Sequence, residues 1–381
     1  MTRRVRAVAR EAIAAAIRAA AGLAPVSWQS GNALFVATFA GVLGAFYVFI
    51  LLVDPYGVVP FSLPFERPIM TNQRQVYPQI LRTGRYDSVV VGTSTSRLLD
   101  PEALGRVLGG RFASFAMPSM TAWEQARIID WFGRAVPSPR TVVVGLDHEW
   151  CDRDTRGVAD REMALGLERE FPAWAYDENR WNDLLYLLNA PTLEVASKVV
   201  GRLRGRSPGK LREDGFEVFV PPEANYDPAR ARAMIWGAAG PPAVRPFLAP
   251  LAPPLQLSAA ERAAMPFEAL PWLEDSLAAL PAGTAKILVF TPPHAHALPA
   301  SGTPAEARER ECKDRVAAIA RRHGAVLVDW RLVSPLTVED ANYWDLLHYR
   351  LPIAYALIED LGHAVNDGRE SPDGRYRILV R

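Results

Sequence analysis

Two short stretches carry side chains whose types and spacing suit one chemistry. The first is Val89-Val90-Val91-Gly92-Thr93-Ser94-Thr95-Ser96-Arg97, three β-branched residues and a glycine followed by four hydroxyls in a row. The second is residues 342–350, Asn-Tyr-Trp-Asp-Leu-Leu-His-Tyr-Arg, in which Asp345 and His348 are three apart. A serine hydroxyl becomes a nucleophile when a base takes its proton and an acid orients that base. A spacing of three predicts one helical turn between Asp345 and His348, with both side chains on one face. Asp345 would then hold one ring nitrogen and leave the other free for a serine. Ser94 is the first candidate nucleophile and Ser96 the fallback. Taken singly, each feature has a plain explanation as a turn serine or a capping pair. Arg97 is either a partner for an anionic substrate group or an ordinary surface arginine.

These residues need elements that bring them to one place. Asp87-Ser88-Val-Val-Val-Gly92 reads as a buried strand. Asp100 and Pro101 predict an N-cap and first turn for a helix reaching about Val107. Strand signals follow at 112–116, 141–147, 286–293 and 325–330. Between them, Thr121/Glu124 and Thr303/Glu306 are T-x-x-E capping boxes that open helices, and residues 351–365 predict a closing helix. Short β-rich runs alternating with helices imply an α/β fold, a parallel sheet covered on both faces. In such sheets ligands bind beyond the carboxyl ends of the strands. Residues 93–96, His148, His294 and His296 all follow strand ends, so much of the polar chemistry converges on one rim.

A small residue and serine after the first strand, with Asp-x-x-His shortly before the C-terminal helix, resembles the SGNH hydrolase superfamily. More narrowly, the chain resembles membrane-anchored SGNH-like proteins of bacterial surface-polysaccharide modification, including alginate and cell-wall O-acetylation proteins. The resemblance covers roughly residues 85–150 and 284–365. It implies a three-layer, flavodoxin-like parallel sheet and the catalytic set Ser94, His348 and Asp345. The family block Gly-Asp-Ser reads Gly92-Thr93-Ser94 here, and strands ending in Gly145-Leu146-Asp147 and Pro292-Pro293-His294 fit the same group. Two blocks depart from the pattern. Where the family has a glycine whose N–H serves the oxyanion, the chain offers Ser119. Where it has an asparagine amide donor, the chain has Asp147, which cannot donate unless protonated. One missing donor costs about 10²–10³ in rate. The neighbouring His148 is a candidate replacement, and Thr93 and His294 are candidate lining residues. The resemblance also implies an acylated glycan as substrate, a membrane acyltransferase as a partner, and no cofactor.

A metal site is the competing chemistry. His294 and His296, with Asp147, His148 and Asp345, offer ligand-type side chains at the same rim. They would suit a metal-dependent deacetylase or phosphoesterase. A third class, a non-catalytic glycan- or partner-binding component of an envelope assembly, follows from Asp147 at the oxyanion position.

The N-terminal region bears on location. Residues 31–53 contain no charge, and about 20 apolar residues span a bilayer core of about 30 Å. Arginines 3, 4, 6, 10 and 18 precede them, and no basic residue follows until Arg67. The positive-inside rule then predicts a cytoplasmic basic tail (1–32), an inner-membrane anchor (33–53), a linker (54–84) and an exported domain (85–381). A cleavable signal peptide is the rival, but the apolar run is long for one and no small-x-small site follows before Asp54. Residues 3–20 read as a basic amphipathic helix on the anionic leaflet. The net charge of +1 gives no footprint for nucleic acid. The two cysteines, Cys151 and Cys312, are too few for a disulfide framework or a zinc set; free thiols and a single pair both remain open. An insertion at about 152–265 holds Trp174, Tyr176, Trp181 and Tyr186, a basic run (201–212) and a proline-rich run (240–254). A loop this long is either a functional cap or binding surface, with aromatics to stack on sugar rings, or an extension of the scaffold.

Overall fold

The computed structural model describes residues 14–15, 28–61, 63, 73–152, 171–206, 211–243, 245, 247 and 252–381. All but residues 14–15 of the amphipathic helix expected over 3–20, and parts of the basic and proline-rich runs, lie outside them.

Six strands form one sheet: β1 (Ser88–Gly92), β2 (Phe112–Ala116), β3 (Thr141–Leu146), β4 (Ala285–Phe290), β5 (Val326–Asp329) and β6 (Arg377–Val380). Their order is β2-β1-β3-β4-β5-β6. The first five are parallel, and β6 pairs antiparallel with β5 through Leu327 and Val380. β6 is a four-residue edge strand with little sequence pattern to mark it. Nine longer helices among the described residues are numbered in chain order: α1 (Trp28–Val53), α2 (Gln73–Arg82), α3 (Pro101–Leu108), α4 (Ala122–Ala135), α5 (Ala190–Leu203), α6 (Pro228–Trp236), α7 (Leu270–Ala279), α8 (Pro304–Arg322) and α9 (Leu351–Gly362).

The strands are apolar along their length because both faces are covered. Val89 and Val91 point into one core with Phe115, Val142, Val144 and Leu288, under α4, α7 and α8. Val90 points into the other with Val143, Ile287, Val289 and Val328, under α3 and α9. The expected helix starts are present: Asp100 accepts from the Glu102 N–H, Thr121 and Glu124 cap each other reciprocally, and Thr303 caps α8 ahead of Pro304.

Residues 54–84 are not a linker where they are described. Asp54 accepts from the N–H groups of Val58 and Val59 at 2.9 and 3.2 Å, and Tyr56, Val58 and Val59 are buried. Tyr77 of α2 stacks on Phe115 of β2 at 4.9 Å and donates its hydroxyl to Ala116 O. The apolar residues of this segment complete the core beside the edge strand, so α1 leads straight into the globular part.

α1 is 26 residues long, uncharged, and apolar enough to cross a membrane. The insertion between β3 and β4 divides into parts with different roles. Residues 171–203 pack against α1, α2 and α4. Residues 211–220 return along the free edge of β2, where the Ser114 N–H donates to Asp214 O at 2.7 Å. Cys151, just past β3, and Cys312, in α8, form a disulfide.

Candidate active site

β1 ends at Gly92, and the chain enters a single 3-10 turn, Ser94–Ser96. Thr93 caps that turn by accepting from the Thr95 N–H at 3.4 Å. Its hydroxyl donates to Asp147 Oδ2, beyond the end of β3. The Thr291 hydroxyl, beyond the end of β4, donates to Thr95 Oγ1 at 3.1 Å. The turn is therefore braced at the carboxyl ends of two neighbouring strands, and it lifts Ser94 clear of the sheet. Ser94 is half-buried, whereas Ser96 is fully buried. The Ser96 side chain fills the space left by two glycines, Gly92 and Gly145; a methyl on either would collide with it. Ser96 Oγ has no hydrogen-bond partner, and no substrate can reach it, so it is not a fallback nucleophile.

His348 Nε2 lies 2.9 Å from Ser94 Oγ. His348 Nδ1 lies 2.8 Å from Asp345 Oδ2 and 3.0 Å from Oδ1. The three residues named from the sequence thus meet in the order that a nucleophile, a base and an orienting acid would take. The helical turn expected for Asp345 and His348 is absent. They occupy a tight loop closed by an antiparallel bridge between Tyr343 and Tyr349, in which the Trp344 N–H donates to His348 O at 2.8 Å. Asp345 Oδ1 accepts from the N–H groups of Leu347 and His348 at 2.8 and 2.9 Å. That turn, in which an aspartate bonds its own following backbone, brings an i, i+3 pair together without a helix. Burial works to raise the Asp345 pKa, but its bonds to His348 and to the two N–H groups outweigh burial and hold the carboxyl below its usual range. The group is ionised at neutral pH, as an acid that steadies an imidazolium must be.

The loop is pinned from below. The Tyr343 hydroxyl donates to Pro292 O and Pro293 O, each at 3.2 Å, and the His294 N–H donates to Leu346 O at 3.0 Å. His294 is not a lining residue. Its ring is buried among Trp236, Phe247 and Tyr343. Its Nδ1 accepts from the His296 N–H at 3.1 Å, so Nε2 carries the proton and donates to Asp340 Oδ1 at 3.1 Å. Burial lowers its pKa although Asp340 faces it, and the ring is neutral. His296 stacks on Trp236 at 4.3 Å.

The metal constellation is not assembled. Asp147 bonds Thr93, Asp345 bonds His348, and His294 bonds Asp340. Among the described residues the one group with ligand atoms close together is a different set, His148, Glu149 and Asp152, within 4.8 Å of one another.

Asp147 is likewise engaged within the protein. It is 3% exposed and accepts from Thr93 and from the Glu149 N–H at 3.2 Å. Burial pushes its carboxyl pKa up, against the pull of His148, the Thr93 hydroxyl and Arg331. Its visible role is to brace the nucleophile turn. His148 is largely solvent-facing, 3.4 Å from Glu149. Ser119 has a left-handed backbone, φ 49°, in the loop after β2 whose Met117 N–H donates to Gly92 O at 3.0 Å. The N–H of Ser94 meets no acceptor among the described residues, which leaves it available to an oxyanion.

Two neighbours escape the sequence analysis. Phe219, from the insertion, meets the His348 ring edge-on at 5.3 Å. Arg97 lies over Phe219 at 4.3 Å and pairs with Glu217, so it is buried and already neutralised rather than waiting for an anion. Tyr349 donates its hydroxyl to Thr95 O. Tyr349 follows the base in sequence, but its acceptor is 254 residues away and only the fold connects them. The aromatics expected to stack on sugar lie elsewhere: Tyr176 packs on Trp131, Trp174 stacks on Tyr186, and Trp181 flanks Phe61 near α1.

No protein-family model matches the chain and no curated protein matches it; its side chains carry the functional reading.

Proposed function

We propose that the protein is a serine-dependent acyl-ester enzyme working through an acyl-serine. The observation that carries this reading is the 2.9 Å approach of His348 Nε2 to Ser94 Oγ with Asp345 on the opposite ring nitrogen. His348 Nε2 takes the Oγ proton as Oγ attacks an ester carbonyl, and the Oγ–C bond forms. The carbonyl oxygen becomes an oxyanion, which the Ser94 N–H stabilises. The intermediate collapses, the C–O bond to the alcohol breaks, and the leaving oxygen receives the proton from His348. Water or a sugar hydroxyl then gives its proton to His348 and attacks the acyl-serine, which releases Ser94 with its proton restored. Asp345 stays ionised and steadies the imidazolium at both steps.

Several observations support an envelope location and an acylated glycan as substrate. α1 has the length and composition of a span, and the arginine bias before it favours a cytoplasmic N-terminus with the globular part on the other side of the inner membrane. The Cys151–Cys312 disulfide suits an oxidising compartment. The strand order 2-1-3-4-5 is that of flavodoxin-like sheets, and the motif resemblance to SGNH proteins of polysaccharide O-acetylation points to acetyl esters of an exported polysaccharide.

The test is labelling by a serine-reactive fluorophosphonate and turnover of a chromogenic acetyl ester, beside Ser94→Ala. Labelling is expected in the parent and not in the variant, with turnover falling on the order of 10⁴-fold or more at an unchanged melting temperature. A folded parent that neither labels nor turns over would sink the acyl-serine reading.

A second reading is favoured by Asp147, which stands where the resemblance implies an amide donor. The protein would then bind a glycan or an envelope partner without catalysis. Ser94→Ala would leave that activity intact.

A further inference from the structure

We infer that the exposed apolar residues of the segment 181–188, with Phe61, are a second membrane contact that embeds at the lipid headgroup–acyl boundary where α1 leaves the bilayer. The inference rests on the proposed reading of α1 as a span. Residues 28–46 of α1 are exposed almost without interruption, and packing against the globular core begins at Tyr47 among the described residues. At 1.5 Å per residue, that free stretch covers roughly 28 Å, close to the ~30 Å thickness of the hydrocarbon core. Tyr47 therefore falls at the boundary. Its hydroxyl donates to Leu184 O at 2.7 Å, which holds the segment at that level.

The side chains around this bond are those of an interface. Leu185 is 81% exposed, Trp181 67%, Tyr186 51% and Leu188 43%. Phe61, just beyond α1, is also exposed, and its ring is 6.4 Å from that of Trp181. The one charge in the segment, Asp183, is buried and faces Arg82 at 3.6 Å, and Arg180, just before it, donates to Val58 O and Val59 O. Leucines with tryptophan and tyrosine, continuous with a lipid-facing helix, match the amphipathic belt found at membrane–water interfaces. A soluble surface would not gather such a group, whereas the boundary accepts its apolar bodies and its polar N–H and O–H tips. Bilayer lipid is the occupant because the surface continues that of α1 at the matching depth. The segment is rigid, since Asn189 caps α5 at Thr192 N and α5 packs against α1. The globular part is thus seated on the leaflet at two points, and the triad is held at a set height and tilt above it.

The test uses the full chain in lipid nanodiscs of phosphatidylethanolamine and phosphatidylglycerol. With Cys151 and Cys312 paired, one introduced cysteine can carry a nitroxide. Leu185→Cys is compared with Phe39→Cys in α1 and Met234→Cys, an exposed site in α6. Accessibility to oxygen and to a water-soluble nickel chelate reports depth. The expected result is a Leu185 label several-fold more accessible to oxygen than to nickel, shallower than Phe39, with Met234 reversed. A Leu185 label in water beside a Phe39 label in lipid would overturn the second contact and leave the span standing; the surface would then await a protein partner. A Phe39 label in water would remove the span itself.

Discussion

The Tyr349 hydroxyl donates to the carbonyl of Thr95, so the residue after His348 is tied to the residue after Ser94. This bond crosses between the two loops beside the reacting atoms, and both partners are buried. The 2.9 Å approach of His348 to Ser94 depends on those loops keeping their spacing. Tyr349→Phe removes the donor, keeps the ring, and leaves a buried carbonyl unpaired. We expect a loss of about 1–3 kcal/mol in stability, read by denaturant unfolding. We also expect a fall in kcat that exceeds any change in KM, since a misplaced base weakens the transition state more than the bound substrate. Equal stability and kcat would show that the bond positions nothing.

Ser96→Ala separates the two hydroxyls that the sequence presents side by side. Ser96 Oγ is buried without a partner, and a buried unpaired hydroxyl costs on the order of 1–3 kcal/mol. The variant should melt at or above the parent temperature and keep fluorophosphonate labelling. Loss of labelling with an intact fold would transfer the nucleophile to Ser96 and discard the present assignment.

Asp147→Asn should stabilise the protein in a pH-dependent way. A carboxyl whose pKa is raised on folding costs stability above that pKa, and the cost vanishes as pH falls towards the unfolded value of about 3.9. Asparagine carries no charge, can still accept from the Glu149 N–H through its one oxygen, and can donate from its amide nitrogen to the Thr93 hydroxyl. The melting-temperature gain should therefore be largest at neutral and higher pH and shrink as the medium is acidified through the raised Asp147 pKa. A gain that grew on acidification would have the wrong sign. Turnover should persist, because Asp147 is buried and its visible contacts brace the turn.

Cys151→Ser with Cys312→Ser should cost about 2–5 kcal/mol of stability, measured by unfolding against the parent with and without reductant. Reductant should lower the parent's stability towards that of the variant and leave the variant unmoved. Labelling of Ser94 should survive below the lowered melting point, since neither cysteine is in contact with the triad.

The sequence and the structure agree where chemistry is local. Asp100, Thr121 and Thr303 cap the helices that follow them because a cap needs only its next three residues. Ser94, Asp345 and His348 stand out because hydroxyl, acid and imidazole are rare together at strand ends. What was hidden depended on distant partners. His294 is held by Asp340, Arg97 by Glu217, and Tyr349 by Thr95, none of them near in sequence. Asp345 and His348 meet through a turn in which the carboxylate binds its own backbone, and a spacing of three suits that turn as well as a helix. The linker reading of 54–84 failed because its buried residues face an edge strand that only the fold supplies.

The two glycines packed on Ser96 impose an order on change. The side chain at 96 must lose its hydroxyl before position 145 can gain a methyl, and its Cβ as well before position 92 can. The carboxyl ends of β1 and β3 therefore drift as one block, however freely the hydroxyls around Ser94 are exchanged. Distant relatives too diverged to show a recognisable serine motif should still carry this signature: a glycine closing the first strand, matched by a glycine two residues ahead of the acid that follows the third.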